Sequence, residues 1–423
     1  MPVYSIAMVA ACPFPANHGT PAAIKEMSEE LARRGHLIRV VTYPLSHDIP
    51  VAGIEINRVC HVGRNREINV GPSYQRLVFD AMLAIKLFQI VRRYEVDVIH
   101  AHNYEAMLIG GVVGRLTGVP VIYNAINTMI SELPSYNFFR PRVLATGLAK
   151  LLDYVVPRMA DIIIADTEEL RSFIVDQGVQ PERVITIHSG VRPEMFQAGD
   201  GARVRERFAV GDSPLILYTG TFDEFQGLDY LMGAFRIVHE HKPTARLLLL
   251  SSTVTRAHRA KYETMARELG YASRFSVASS TLDELPDFLA AADVAVVPRP
   301  HSPGIPTKLL NYMAAGNAIV SFRRSASILQ HGVTAFLVEP VTAASFAEGI
   351  LTVLDEPTFA QKMRANVKSF VLGRFDWPSI AVKLEAVYEN VAQKSRRVLI
   401  NPGQATQTVD TQPAVVERTA AND

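Results

Sequence analysis

Short apolar runs alternate with stretches of helical spacing along most of this chain. The run Val3 to Ala11 predicts a buried first strand, which Pro13 and Pro15 end. A loop from Cys12 to Thr20 leads into a predicted helix: Thr20 can cap it, Pro21 suits its first position, Ile24, Met27 and Leu31 share a face, and Gly35 closes it. The alternation predicts a strand at Leu37 to Thr42 and a long helix from about Ser73 to Tyr94. Strand Asp97 to His100, helix Tyr104 to Thr117 and strand Pro120 to Ala125 follow. A helix ending near Met159, strand Asp161 to Ala165, helix Thr167 to Asp176 and strand Arg183 to Ile187 complete the first half. Strands of this kind separated by helices imply a parallel sheet covered on both faces, a doubly wound α/β domain over residues 1–196.

The pattern lapses over residues 197–213, where Gln-Ala-Gly-Asp-Gly-Ala-Arg reads as an interdomain linker, and then restarts. Strand Pro214 to Thr219, helix Leu228 to His241, strand Ala245 to Leu250, a helix to Leu269 and strand Arg274 to Val277 open a second Rossmann-like unit, residues 214–378. Thr281 and Glu284 form a capping box for a helix running to Ala292, strand Val294 to Val297 follows, and helix Pro306 to Ala315 ends before Gly316. A last helix is expected over 379–395. The residues 396–423, rich in Thr, Gln, Ala and Pro, read as a disordered tail.

Composition narrows the classes. A length of 423 residues favours two α/β domains over one core. The balance of 43 basic against 42 acidic residues leaves +1, so no global field selects a polyanion, which argues against a general nucleic-acid binder while leaving room for a local basic face. Two cysteines, Cys12 and Cys60, rule out a disulfide framework and a multi-cysteine zinc site, and they fit a cytoplasmic setting. Lys86, and Lys150 with Asp153, interrupt the two richest apolar stretches before a membrane span's length is reached.

In open parallel sheets ligands bind beyond the carboxyl ends of the strands, which selects four loops. The first holds His18 and Gly19 at a helix amino terminus suited to a phosphate, without the G-x-G-x-x-G of a dinucleotide site; a simple turn glycine fits equally well. The second carries His102, Asn103 and Glu105, with His102 placed just past the strand end. The third offers Asn124 and Asn127, amides that orient hydroxyl groups but are no acid or base. The fourth, Arg299 to Pro306, passes through Gly304 and Ile305 into the helix bearing Lys308 and Asn311, a combination suited to an anion; a proline-rich connection with a solvated lysine is the plainer reading.

Taken in order, NHGTP (17–21), ARRGH (32–36), DVIHAHN (97–103), GVPVIYN (118–124), SGVRPEMF (189–196), YTGTFDEFQGLDYL (218–231), AADVAVVPRP (291–300) and PGIPTKLLNYMAAGNAIVSF (303–322) resemble the family-4 retaining glycosyltransferases. The resemblance covers about residues 3–395. It implies two Rossmann-like domains facing each other across a cleft, the GT-B fold, and transfer of a sugar from a nucleotide-sugar donor to a hydroxyl of a glycan or lipid acceptor. Retention at the anomeric carbon, no metal and no cofactor are further implications. On this resemblance Gly19, Gly220, Thr221, Arg299, Gly304, Ile305, Lys308 and Asn311 would hold the donor. His102 and Asn127 would stand at the reacting centre, and His18, Asn103, Glu105 and Asn124 on the acceptor side. This chain departs from the family pattern at Ile126, usually a histidine, at Pro303 and Asn311, usually glutamates, and at Thr221 and Gln226, usually an arginine and a lysine that clamp the diphosphate. A catalytically silent protein of the same fold, and an epimerase or phosphorylase, are the rival readings.

Two wider expectations follow. The domains should close about a hinge near 197–213, with helix 379–395 tying them together. Tyr136, Phe138, Phe139, Arg140, Arg142 and Lys150 mix aromatic and basic groups in the manner of a peripheral membrane contact.

Overall fold

The computed structural model of the protein describes residues 2–16, 19–44, 49–62, 74–135, 142–302 and 304–400. The first domain runs β1 (Ser5–Ala10), α1 (Gly19–Arg33), β2 (Leu37–Thr42), β3 (Ile54–Arg58), α2 (Tyr74–Arg93), β4 (Val98–His102), α3 (Asn103–Thr117), β5 (Val121–Ala125), α4 (Met129–Glu132), α5 (Arg142–Val155), β6 (Ile162–Ala165), α6 (Glu168–Asp176) and β7 (Val184–Thr186). Its strands form a parallel sheet in the order β3-β2-β1-β4-β5-β6-β7. Order reverses beside β1, where β2 pairs on one side and β4 on the other, so the carboxyl ends of β1 and β4 flank the crevice where doubly wound sheets bind ligands.

The second domain contains α7 (Gly201–Arg207), β8 (Leu215–Thr219), α8 (Leu228–His241), β9 (Arg246–Ser251), α9 (Arg256–Glu268), β10 (Phe275–Ser279), α10 (Leu285–Ala291), β11 (Val294–Val297), α11 (Thr307–Ala315), β12 (Ile319–Phe322), β13 (Phe336–Val338), α12 (Ala343–Asp355) and α13 (Pro357–Val371). Its parallel sheet has the order β10-β9-β8-β11-β12-β13. β3, β12, β13, α12 and α13 go beyond the sequence expectation. β3 is a half-exposed edge strand, Ile-Glu-Ile-Asn-Arg, too polar to stand out, and β12 and β13 have only four and three residues.

Each sheet is buried on both faces, and each face has its own apolar cluster. Fully burying one large apolar side chain contributes about 1.5–3 kcal/mol, so these four clusters are the main source of stability. The segment expected as a linker contains α7, capped by Asp200, whose carboxylate accepts from Ala202 N at 3.1 Å and Arg203 N at 3.3 Å. α7 packs on α10, where a β-carbon at Gly199 would stand 2.3 Å from the Pro286 carbonyl oxygen. The glycines that suggested a loose linker are there for close packing.

The last helix, α14 (Trp377–Ile400), begins two residues earlier than expected and runs through 396–400, the start of the expected tail. Residues 401–423 lie outside the described residues. Trp377, Ile380, Leu384 and Tyr388 join the cluster of β1 and α1, which returns the chain to the first domain. Polar pairs fix the docking: Trp377 Nε1 donates to Glu26 at 2.6 Å, and Arg34 donates twice to Glu385 at 2.6 and 2.7 Å.

Candidate functional site

The second-domain half of the site is built on the loops after β8 and β11 and on the first turn of α11. Lys308 stands in that turn and is 9% exposed. Its Nζ donates to Tyr218 Oη at 2.7 Å and to Gln226 Oε1 at 2.8 Å. Tyr218 Oη donates to the Thr221 carbonyl at 2.7 Å, and Gln226 Nε2 donates to Thr221 Oγ1 at 3.3 Å. The four residues form a closed network around the ammonium. Gly220 makes room for it: φ is +134°, and a β-carbon there would stand 2.6 Å from Lys308 Nζ. Burial first, and the charge of Arg299 second, push the lysine well below its ordinary value. The charge of Asp223 acts weakly in the opposite direction, but no carboxylate pairs with Lys308 among the described residues, so a bound anion would favour its ammonium form.

The plainer alternative for this loop, a proline-rich connection with a solvated lysine, does not hold, because Lys308 is buried. The positions where the resemblance has a clamping arginine and lysine, 221 and 226, are neutral, yet the Lys308 amine reaches Gln226 directly from α11 and Thr221 through Tyr218. Arg299 follows β11; its Nε donates to the His301 carbonyl at 2.8 Å, and its guanidinium lies 4.9 Å from the Phe225 ring centroid. Burial lowers its pKa, while Glu132 on α4 and Tyr218 act in the opposite direction; an arginine stays charged regardless. Asn311, one turn beyond Lys308, is half-buried.

The first-domain half departs more from expectation. His102 is not past the strand end but is the last residue of β4, paired in register with Ala10 on one side and Asn124 on the other. It is 1% exposed, stacks on His100 at 4.4 Å, and neither ring nitrogen has a hydrogen-bond partner among the described residues. Burial drives His100 down to about 3 and His102 well below its ordinary value, which favours the neutral form of both imidazoles. His102 can give or take a hydrogen bond but does not serve as an acid. Asn103, next in the chain, holds a left-handed φ of +73° rare for a side-chain-bearing residue, with Oδ1 buried and unpartnered. Two unsatisfied polar residues at one strand end mark this edge as built for something other than stability.

Asn127 hydrogen-bonds to the Glu132 carboxylate, which in turn faces Arg299. Glu105 pairs with Arg76 at 3.6 Å and so is committed to its own domain. Gly19 opens α1 with φ +52° and open space around it. His18, Pro303, Tyr136, Phe138, Phe139 and Arg140 lie outside the described residues.

The two halves meet directly. A β-carbon at Gly304 would stand 2.1 Å from the Ile126 carbonyl oxygen. Asp166, the first residue beyond β6, accepts from Ile305 N through Oδ2 at 2.9 Å and from Ser189 N through Oδ1 at 2.7 Å. His301 and Glu169 approach to 3.0 Å. Sequence reasoning gave no place to Asp166, although the rule that selected the four loops also covers the residue after β6. Its carboxylate now occupies the Ile305 amide expected to face the donor. Among the described residues no group of three or more His, Cys, Asp or Glu is arranged to hold a metal ion.

Comparison with known proteins adds the family. Residues 213–356 match the glycosyl transferases group 1, and residues 18–195 match glycosyltransferase family 4. D-inositol 3-phosphate glycosyltransferase 1 of Catenulispora acidiphila is 28% identical over 315 residues, 71% of this chain and 73% of that protein. D-inositol 3-phosphate glycosyltransferase of Thermobispora bispora is 25% identical over 404 residues, 90% and 92% of the two chains. Among solved structures, sucrose-phosphate synthase from Thermosynechococcus elongatus superposes with a TM-score of 0.79 at 18% identity, over 92% of this chain and all of the other. Anabaena HepE in complex with UDP gives 0.71 at 17%, over 91% and 100%. Two facing Rossmann-like domains, each matching its half of one family in the family's order, establish the chain as a glycosyltransferase of group 1 and family 4 with the GT-B fold.

Proposed function

We propose that this glycosyltransferase moves a sugar from a nucleoside-diphosphate sugar to a hydroxyl of a glycan or lipid-linked acceptor, with retention at the anomeric carbon. In this reading it works in the cytoplasm and needs no metal or cofactor of its own. The observation that carries the proposal is Lys308, a buried lysine in the first turn of α11 that pairs with no carboxylate among the described residues. A diphosphate oxygen beside Nζ would restore its charge, and the same contact would stabilise the diphosphate as it leaves with the electrons of the broken glycosidic bond. Arg299 adds a second positive charge nearby, and Asn311 is the right type to bond a ribose hydroxyl. Neutral His102, with Asn103, Asn124 and Asn127, would orient the sugar and the attacking hydroxyl; positioning rather than proton transfer is what neutral groups offer.

The solved relatives include one holding UDP, which makes UDP-sugars the first donors to try. The relatives named for D-inositol 3-phosphate make that polyol phosphate the first acceptor to try. A second reading, a silent protein that binds nucleotide sugar or glycan for a partner enzyme, draws on one observation: the Ile305 amide is closed by Asp166. On the first reading that contact opens when the donor enters. Release of nucleoside diphosphate, measured across UDP-, GDP- and ADP-sugars with inositol phosphate, glycan and lipid acceptors, separates the two. Tight calorimetric binding of a nucleotide sugar without turnover on any acceptor would overturn the first.

A further inference from the structure

We propose that the face of the first domain formed by α2, α3 and α5 docks on an anionic lipid bilayer. These helices cover one side of the first sheet: their inner residues, Phe79 and Leu83 of α2, Met107 and Val113 of α3 and Leu152 of α5, share the apolar cluster on that face. Their outer surfaces are also apolar. Twelve of the twenty-one large apolar side chains that are exposed among the described residues lie on these three helices. On α3, Leu108, Val112 and Leu116 recur every four residues and form one stripe, Leu116 being 70% exposed. On α5, Val143, Leu144, Leu151 and Val155 are exposed, Leu144, Leu151 and Val155 at intervals of seven and four residues that keep them near one face, with Val143 at 78%. α2 adds Leu77, Ile85 and Phe88. Scattered single residues of this kind are ordinary, whereas stripes on the packed pair α2 and α3, with further exposed apolar residues on α5 of the same face, are not.

The charges select the occupant. Every acidic side chain of these helices is engaged within the protein: Asp80 accepts from Tyr43 Oη at 2.6 Å, Glu105 pairs with Arg76, and Asp153 is buried beneath the backbone N–H groups of Met129 and Ile130. The cations Arg92, Arg115, Arg142 and Lys150 are exposed, and none pairs with a carboxylate among the described residues. Arg92 and Arg115 stand near helix carboxyl ends, where the dipole favours them; Arg142 stands in the first turn of α5, where it does not. A chain of net charge +1 has therefore gathered unpaired positive charge on its most apolar face. A second copy docked by two-fold symmetry would oppose like charges. Anionic headgroups over acyl chains complement both features, as in interfacial amphipathic helices.

The inference does not rest on the transfer reaction, and its test reads binding without turnover. The full chain is floated with vesicles of phosphatidylcholine alone and of phosphatidylcholine mixed with phosphatidylglycerol. Expected is binding to the anionic vesicles that fades as salt is raised and falls about tenfold in Arg142→Glu/Lys150→Glu. Leu144→Ser/Leu151→Ser should weaken it comparably, with circular dichroism and melting temperature unchanged because both sites face solvent. Absence of binding to anionic vesicles at low salt, or binding by both double variants as strong as that of the wild type, would overturn the proposal. So would a concentration-dependent dimer that these variants abolish in a protein indifferent to vesicles.

Discussion

Lys308 Nζ lies 2.8 Å from Gln226 Oε1, a contact across 82 positions of sequence that joins the start of α11 to the turn after β8. It brings the lysine amine to a loop whose residues 221 and 226 are neutral, and it does so with the lysine buried, where charge is costly and an anionic ligand is correspondingly favoured.

Replacing Lys308 by Ala should weaken UDP binding by about 1.5–3 kcal/mol, the range for hydrogen bonds to a charged group. Calorimetry measures it directly. Thermal stability should fall little or rise, since the substitution also removes a buried charge. Equal affinities for the two proteins would take the lysine out of the site.

His102→Leu should stabilise the fold by up to about 1–3 kcal/mol, because two buried ring nitrogens without partners disappear. If the residue positions substrate, turnover should drop in the same variant. Because burial keeps the wild-type imidazole neutral, His102→Gln should leave the shape of the pH–rate profile between about pH 5 and 8 unchanged. A lost ionisation in that window would show that His102 titrates after all.

Gly304→Ala would force a β-carbon into the Ile126 carbonyl oxygen. The loop cannot yield without parting from the first domain, so the domains should separate while each stays folded. Small-angle scattering should report a larger radius for the variant, with unchanged circular dichroism. UDP-sugar should contract the wild type further or leave it closed, and an expansion on binding would contradict closure around the donor.

Glu385 ties α14 to α1, and its hydrogen bonds to Arg34 hold the carboxyl below its ordinary value. A depressed carboxyl pKa means that the unfolded chain binds the proton more readily than the folded one. The stabilisation is present above the ordinary glutamate value of about 4.3 and is lost as pH falls through the folded value. Glu385→Gln should therefore cost about 1.5–3 kcal/mol at pH 7 and much less near pH 3. Melting temperatures of the two proteins that stay the same distance apart across this range would rule the linkage out.

The sequence alone determined the two parallel-sheet domains, because buried strands and amphipathic helices write their periodicity locally and each element needs only its own residues to declare itself. It also exposed the loops at the strand ends and the ordered motifs of the family, including Gly220, Arg299 and Lys308. Short or half-exposed elements such as β3 and β13 left too little pattern to read, and the glycines at 199 and 201 signalled flexibility where close packing was their use. Contacts between distant segments were decided only by the tertiary structure. That His102 is enclosed between β1 and β5 and thereby neutral, that Lys308 returns charge to Gln226, and that Asp166 closes the Ile305 amide all depend on which strands lie side by side and on how two domains meet. Burial and charge coupling are properties of neighbours in space, and no local pattern encodes them.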